Sequence, residues 1–294
     1  MTCLICGSDD LVVKYEGKIR VGKYRNLSET DHRIMRCPRC GCAWLPDFIG
    51  KSAAFYETEE YRNSVDSSSL IADFHRIHDR QQNAPLAAIG LEKFRDKTVM
   101  DVGCGGGSFL DAVKGYAKDI VAIEPANYFH AALRGKGYHV FPYLNDAAGE
   151  YGGKIDAAVC LSVIEHIDDP LGFLGSLRGL LAPDGSLYLS TPNAEDLLLA
   201  LLGRDYEEFF YRRAHVWYFD SFSLAQLLTR AGFHDVIVRP LQRFGLSNFL
   251  LWMRDRAPKG DSELDGVTKT VDAVWKSELE RTGRCDYLYA EAKK

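Results

Sequence analysis

The 294-residue sequence has no apolar run close to the roughly 18 residues that a membrane-spanning helix requires; its longest candidate covers only 197–202. Its first residues also lack the basic start and the long apolar stretch of a secretory signal peptide. These two absences predict a protein that does not span a membrane and that resides in the cytoplasm.

The chain also lacks an excess of positive charge, since 36 Lys and Arg residues stand against 41 Asp and Glu residues, for a net charge of −5. A nucleic-acid-binding protein usually has a basic face, so nucleic acid is not the expected partner. Residues 1–45 differ, with eight basic and five acidic residues, a net +3 that leaves −8 for the remainder. Hydrophobic residues make up 46% of the chain, which excludes disordered, collagen-like and small disulfide-stapled classes.

Five of the eight cysteines fall within the first 42 residues. Cys3 and Cys6 form one pair and Cys37 and Cys40 a second, each with two residues between its members and a glycine after it. Four thiolates in two such turns form the closed tetrahedral set of a structural Zn²⁺ site, which predicts a zinc-ribbon-like module over 1–48. Cys42 is then a spare that could replace Cys40. Free buried thiols and a redox pair are the alternatives.

Hydrophobic periodicity outlines the rest of the chain. Short strand-like stretches at 11–15 and 33–36 suit a hairpin inside the cysteine module, and residues 49–95 form a helical connector with a helix start at 67–69. After it, strand patterns alternate with helical patterns; the predicted strands lie at 98–102, 120–123, 138–141, 157–161 and 186–190. This alternation predicts an α/β fold with a doubly wound, mostly parallel sheet.

A glycine-rich turn follows the first strand of this alternation. The dinucleotide fingerprint would require glycine where Ser108 stands, and an apolar residue where Asp101 stands, because a pyrophosphate is anionic. An aspartate there suits a ligand with a positive charge. Glu124 lies 19 residues after Gly105, at the end of the next strand, where a carboxylate can accept both hydroxyls of a ribose. A ribose and a cation together describe S-adenosylmethionine.

The segment 99–107 resembles the first motif of class I S-adenosylmethionine-dependent methyltransferases of the small-molecule branch. Four later segments also resemble motifs of this family and follow in its order; they are 156–170, 180–189, 231–233 and 286–292. The resemblance implies a Rossmann-like sheet of seven strands over 96–294, its last strand antiparallel. It also implies a lid at 195–220 and a helical insertion at 246–283.

The resemblance also assigns roles to residues. Gly103 and Gly105 are expected against the cofactor's methionine and ribose portions, and Leu161 and Ser162 beside the methionine end through backbone groups. Residues 142–146 are expected to border the adenine. Asp101 and Glu124 complete the expected cofactor site.

Methyl transfer to a hydroxyl or a carbon acid needs a base, and histidine is the usual one near neutral pH. His166 follows the fourth strand of the alternation, and His215 lies in the aromatic, basic lid. Either is a candidate, with helix capping and lid packing as the alternative roles. The ubiquinone-pathway O-methyltransferases carry a glutamate three residues before their Glu-His pair, where this sequence has Ser162. A metal-assisted mechanism is therefore not expected.

The expected acceptor is a small polar metabolite, most readily a hydroxyl of a sugar or nucleotide-sugar. Arg212 and Arg213 suggest that it is anionic, because guanidinium groups bind phosphate and carboxylate. An RNA methyltransferase with a zinc ribbon, a sugar C-methyltransferase and a non-enzymatic cofactor-binding protein are the alternatives. Sugar C-methyltransferases carry a further C-terminal domain, which is not expected here. The sequence does not predict an oligomeric state.

Overall fold

The computed structural model of the protein describes residues 2–50, 71–260 and 262–294. The chain divides into two compact units, one made of Met1–Ile49, Thr191–Gln226 and Val238–Tyr289, and the other of Gly50–Ser190, Leu227–Ile237 and Ala290–Lys294. The helix start predicted at 67–69 lies outside the described residues. Among the residues described, no helix combines the length and the apolar character needed to cross a membrane.

The strands of the described residues form two sheets, of four and of seven strands. They are β1 (Val12–Gly17), β2 (His32–Arg36), β3 (Ala43–Trp44), β4 (Thr98–Val102), β5 (Asp119–Ile123), β6 (His139–Phe141), β7 (Ile155–Leu161), β8 (Leu181–Pro192), β9 (Trp217–Tyr218), β10 (His234–Leu241) and β11 (Tyr287–Lys293).

The helices of the same residues are mostly short. They are α1 (Ile71–His78), α2 (Asn83–Ile89), α3 (Ser108–Val113), α4 (His130–Gly135), α5 (Leu144–Tyr151), α6 (Pro170–Leu180), α7 (Leu197–Leu202), α8 (Arg204–Phe210), α9 (Ser221–Arg230), α10 (Leu246–Asp255) and α11 (Lys269–Thr282). Single turns of 3₁₀ helix at Asp79–Gln82, Leu91–Phe94 and Ile164–His166 extend or replace them.

The larger sheet has the strand order β10-β11-β8-β7-β4-β5-β6. Its five consecutive members from β8 to β6 pair in parallel, which confirms the predicted doubly wound fold. Strand β4 lies inside the sheet, and four of its five residues are buried, as expected for a parallel strand covered on both faces. The carboxyl ends of β4, β5 and β7 therefore meet at one edge, where open α/β sheets bind ligands.

Helices pack on this sheet through short apolar faces. Leu110 of α3 and Leu133 of α4 are fully buried in one cluster with Phe129. Helix α6 begins with Pro170, and the side chain of Asp169 before it accepts a hydrogen bond from the Gly172 N–H. This is the proline-and-cap start expected of a stable helix.

The smaller sheet has the order β1-β2-β3-β9 and belongs to the first unit. The antiparallel pair β1–β2 is the hairpin predicted for the cysteine module. Ile19, Ile34 and Leu45 are fully buried beneath it, and the cluster continues through Phe210 and Tyr218. The core of this unit therefore joins residues that lie far apart in the sequence.

Candidate cofactor site and cysteine cluster

The glycine loop between β4 and α3 has a backbone conformation that residues other than glycine rarely adopt. Gly103, Gly105 and Gly107 have φ angles of +74°, +53° and +87°. The loop is fixed to β5, because the N–H of Gly103 donates to the Ile123 carbonyl at 2.8 Å. A Cβ atom on Gly103 would lie 2.6 Å from a methyl carbon of Val163. Glycine is thus needed for both conformation and space.

Glu124 closes the loop from the end of β5. One of its carboxylate oxygens accepts the N–H of Gly105 at 2.7 Å, and the other accepts the N–H of Ala126 at 2.8 Å. The residue is only 5% exposed. A carboxylate oxygen can accept more than one hydrogen bond, so these contacts are compatible with a ribose hydroxyl as a further partner.

Asp101 is buried at the end of β4, paired in register with Ala122 of β5 and Val159 of β7. Burial, and secondarily the negative charge of Glu124, raise the pKa of Asp101 well above its usual range. A buried carboxylate near a second one is stabilised by a positive charge. The site therefore favours a cationic ligand group, as the sequence predicts.

Leu161 and Ser162 lie at the carboxyl end of β7, on the edge that also carries Asp101. Ser162 has a φ angle of +56°, the left-handed region that serine seldom occupies, and its N–H donates to the Ser190 carbonyl at 2.9 Å. Such strained residues cluster at binding sites. Val163, the next residue, lies against Gly103.

The second unit therefore brings together six predicted residues at the ends of three neighbouring strands, and these are Asp101, Gly103, Gly105, Glu124, Leu161 and Ser162. Their chemistry fits S-adenosylmethionine: two buried carboxylates, and left-handed glycines that keep the loop free of side chains. Helix α5 begins within residues 142–146, and the adenine contact predicted there stays a prediction.

Ser108 is a feature that sequence reasoning used only to exclude a dinucleotide. Its hydroxyl donates to Asp79 at 2.6 Å and lies 3.3 Å from Nδ1 of His75. Lys136 adds a hydrogen bond to the Gly106 carbonyl and lies 3.2 Å from Nε2 of His75. This polar cluster joins α1 and the turn after it to the glycine loop. A short-range motif contains no signal for such a contact.

The two candidate bases fall in different units. His166 ends the 3₁₀ turn Ile164–His166, three residues beyond Val163, and its Nε2 lies 4.0 Å from a carboxylate oxygen of the buried Glu165. His215 belongs to the first unit, is 6% exposed and has its ring centre 6.3 Å from that of Tyr218. Only His166 therefore shares a unit with the glycine loop.

The four paired cysteines converge in the first unit. The Sγ atoms of Cys3, Cys6, Cys37 and Cys40 all lie within 4.8 Å of one another, with Cys3–Cys40 at 3.6 Å and Cys6–Cys37 at 3.4 Å. A tetrahedral zinc ion with Zn–S bonds of about 2.3 Å holds its sulfurs about 3.8 Å apart. Cys42 is outside this group.

The backbone around these cysteines also suits a metal. The glycine after each pair, Gly7 and Gly41, has a φ angle near +75° and donates to the carbonyl of the pair's first cysteine at 2.8 Å. Burial works against ionisation of Cys37, yet hydrogen bonds from the Cys40 backbone and the Cys6 thiol lower its pKa to about 7. The cluster is compatible with a closed zinc site.

The pairing of the cysteine module with the segment predicted as a lid is a feature that the sequence does not indicate. Strand β3 pairs antiparallel with β9 of the segment 211–220, and the N–H of Leu45 donates to the Val216 carbonyl at 2.8 Å. Four consecutive apolar residues, 216–219, are the sequence signal that could have indicated a strand. The segment with His215 is thus part of the small sheet.

Comparison with known proteins places the chain in a family. The family described as "Methyltransferase domain" matches residues 74–238, over half of the chain. A ubiquinone biosynthesis O-methyltransferase of Xanthomonas campestris pv. campestris is 34% identical over 261 residues, which cover 83% of this chain and 96% of that protein. One of Histophilus somni is 34% identical over 152 residues, 46% of this chain and 62% of that protein.

Solved structures agree in fold. A SAM-dependent methyltransferase from Archaeoglobus fulgidus matches with a TM-score of 0.53 and 16% identity over 76% of this chain and 97% of its own. The plantazolicin methyltransferase BamL, solved with SAH, matches with a TM-score of 0.51 and 14% identity over 85% and 96%. Family match, relatives and glycine-loop geometry together show that this chain belongs to the methyltransferase domain family and is a S-adenosylmethionine-dependent methyltransferase.

Proposed function

We propose that the protein methylates a hydroxyl oxygen of a small polar acceptor, such as a sugar or a nucleotide-sugar. The observation that carries this proposal is Val163, which lies against Gly103 of the glycine loop and directly precedes the turn Ile164–His166. It supports His166 as a group that removes a proton near the predicted cofactor site. The relatives named O-methyltransferases support oxygen as the methylated atom.

The chain's own residues have separate tasks in this reaction. Asp101 and Glu124, with the loop of Gly103 and Gly105, would hold the cofactor, which when bound supplies a methyl group on a positively charged sulfur. The protein needs to orient the acceptor in line with that methyl group and to exclude water. A base takes the acceptor's hydroxyl proton as the oxygen becomes a nucleophile.

Either His166 or His215 is the proposed base. His166 has Glu165 beside it, and a neighbouring carboxylate stabilises a protonated imidazole. His215 is buried among aromatic residues of the small sheet. His166→Ala and His215→Ala distinguish them: the variant that lacks the base should lose about 100-fold or more in turnover with unchanged cofactor affinity. Near-wild-type turnover of both variants would contradict the proposal.

We also propose that Cys3, Cys6, Cys37 and Cys40 bind a structural Zn²⁺ ion. We further propose that the protein resides in the cytoplasm, because a reducing compartment preserves thiols as metal ligands. Metal analysis of the purified protein should find one zinc per chain. Less than half an equivalent, with a fold unchanged by chelation, would refute the zinc site without affecting the methyltransferase.

The acceptor class is tested with a panel of hydroxyl compounds. The purified protein is incubated with methyl-labelled S-adenosylmethionine and with sugars, nucleotide-sugars and phenols, and the products are located by NMR. We expect a methyl ether on a sugar or nucleotide-sugar. Transfer to a phenol would reassign the acceptor, and a new C–CH₃ bond would make the protein a C-methyltransferase. Methylated RNA, with binding that falls steeply with salt, would favour the ribbon-bearing RNA enzyme instead.

A further inference from the structure

Two arginine side chains of the first unit share one aromatic ring. The guanidinium carbon of Arg20 lies 4.3 Å from the ring centre of Phe209, and that of Arg212 lies 5.9 Å from the same centre. The backbone fixes this arrangement, because the N–H of Arg20 donates to the Tyr211 carbonyl and the N–H of Arg213 donates to the Arg20 carbonyl, both at 2.9 Å.

Neither guanidinium has an acidic partner among the residues that the structure describes. Other arginines there do: Arg33 makes two hydrogen bonds to Glu16, and Arg243 makes an ion pair with Asp286. Both Arg20 and Arg212 are partly buried, and the Nε atom of Arg212 is fully buried without a hydrogen-bond partner in the same described residues. A buried donor without an acceptor is destabilising, and a charged one more so.

Arg20 is also close enough to Arg212 for the two positive charges to repel each other. Burial, followed by the positive charge of Arg212, lowers the pKa of Arg20 to about 9. Arginine side chains are positively charged at neutral pH in proteins, so the pair consists of two cations. Two adjacent, partly desolvated cations repel each other unless an anion lies between or beside them.

We propose that Arg20 and Arg212 bind the phosphate or carboxylate group of a small molecule. Guanidinium forks make paired, charge-assisted hydrogen bonds to such oxyanions, and two of them carry the +2 charge that matches a phosphate dianion. The ring of Phe209 lies within cation–π distance of both guanidinium groups. Arg212 lies three residues before His215 on the same segment. With His215 as the base, the anion is a group of the acceptor, and this last step rests on the proposed function.

The site is tested without cofactor or acceptor, by calorimetric titration of the full-length protein with inorganic phosphate at constant ionic strength. Pyrophosphate and succinate in parallel titrations distinguish a phosphate ligand from a carboxylate ligand. We expect saturable binding that weakens at least tenfold in Arg20→Gln and in Arg212→Gln. Arg33→Gln is the matched control, because it removes the same charge from an exposed arginine with an ion pair; its affinity should equal that of the wild type.

The midpoint of thermal unfolding gives a second measurement, which can be interpreted even if a substitution lowers the stability of the fold. Phosphate should raise the midpoint of the wild type and of Arg33→Gln, but not that of Arg20→Gln, since only a bound ligand stabilises the native state. Arg20→Lys keeps the charge and loses the fork, and should bind phosphate weakly. Equal binding in all variants, or no saturable binding of any of the three anions, would overturn the site. Methyl transfer that persists in that case would leave the proposed reaction intact.

Discussion

The glycine loop and the segment 211–220 are both built around a predicted functional residue, yet they are assembled differently. The loop unites neighbours in the sequence: Asp101, Gly103 and Gly105 are within five residues, and Glu124 follows on the next strand. The segment 211–220 is held by residues from the N-terminus, through the β3–β9 pairing and a hydrogen bond from Leu45. The first arrangement depends on a large sheet, the second on contacts across more than 150 residues.

This difference has an energetic consequence. Strands β3 and β9 have two residues each, so their pairing supplies few hydrogen bonds. Short strand pairs are marginally stable alone and need a core or a cross-link. The aromatic cluster under the small sheet is one support, and the four cysteines are the other. Loss of the cysteine cluster should therefore lower the local stability of the segment 211–220 more than any single substitution lowers that of the glycine loop.

The largest effect is expected for Cys37→Ser. Losing a ligand should remove the proposed structural zinc, and zinc binding contributes on the order of 10 kcal/mol to folding in small zinc modules. Hydrogen exchange should become much faster in β1–β3 and in the segment 211–220, while the amides of β4 and β5 stay protected. The measurement is exchange followed by peptide mass spectrometry, with zinc content determined on the same samples.

Cys42→Ser is the matched control, because that thiol is also buried but lies outside the four-sulfur group. This variant should keep one zinc per chain, and the amides of the segment 211–220 should exchange as slowly as they do in the wild type. If Cys42→Ser loses zinc instead of Cys37→Ser, the ligand set needs reassignment. If neither substitution changes exchange in the segment, the metal does not support it.

The next effect concerns the loop itself. Gly103→Ala forces alanine into a left-handed conformation, which costs about 1–2 kcal/mol, and places its methyl group against Val163. The loop must shift, so affinity for S-adenosylmethionine should fall by about 100-fold in calorimetry. Gly115→Ala is the control, since a Cβ atom there meets nothing within 4 Å and its affinity should not change. Wild-type affinity of Gly103→Ala would refute the loop as the cofactor site.

The contrast between loop and segment also explains what the sequence could predict. Strand β4 agrees with the strand predicted at 98–102, because a short, mostly apolar run before a glycine-rich turn is a local signal. The lid prediction missed β9, a two-residue strand whose partner β3 lies far away in the sequence. Neither the pairing of short strands nor the Arg20–Arg212 contact has a periodic pattern, so both emerge only from the folded chain.

Strand β8 shows an intermediate case. The strand predicted at 186–190 covers Leu181–Pro192 in the structure and so includes Pro183-Asp184-Gly185, a sequence typical of a turn. Its register explains the difference: Leu181 pairs with Ile155 and Ser186 with Ala157, so 182–185 bulge out between two paired ends. Local chemistry correctly indicated an interruption. The pairing with β7 determines that residues on both sides of this interruption belong to one strand.

A moderate effect is expected for Asp101→Asn. The raised pKa of Asp101 means that the folded state resists ionisation, so its stabilising contribution is complete at low pH and is lost as pH rises above the unfolded value near 4. Asparagine removes that penalty, and the cofactor-free variant should unfold at a higher temperature than the wild type at pH 7. Its affinity for S-adenosylmethionine should nevertheless fall about tenfold, or ~1.4 kcal/mol.

The demethylated product S-adenosylhomocysteine supplies the control for this charge effect, because its sulfur is neutral. Its affinity should change less than twofold in Asp101→Asn, and the wild type should bind the sulfonium compound more tightly as pH rises. Equal losses for both compounds would mean that Asp101 acts through loop structure and not through its charge.

The smallest effect is expected for Ser162→Gly, which tests whether the end of β7 contributes to the cofactor site through its backbone. Glycine relieves the left-handed strain of about 1–2 kcal/mol but adds 0.5–1 kcal/mol of unfolded-state entropy, so stability should rise by less than about 1 kcal/mol. Ser162→Val keeps the strain with a bulkier side chain and should destabilise. Cofactor affinity of Ser162→Gly should stay within twofold of the wild type, because its backbone groups remain. A tenfold loss would show that the hydroxyl itself binds, and would move this residue from a positioning role to a direct contact.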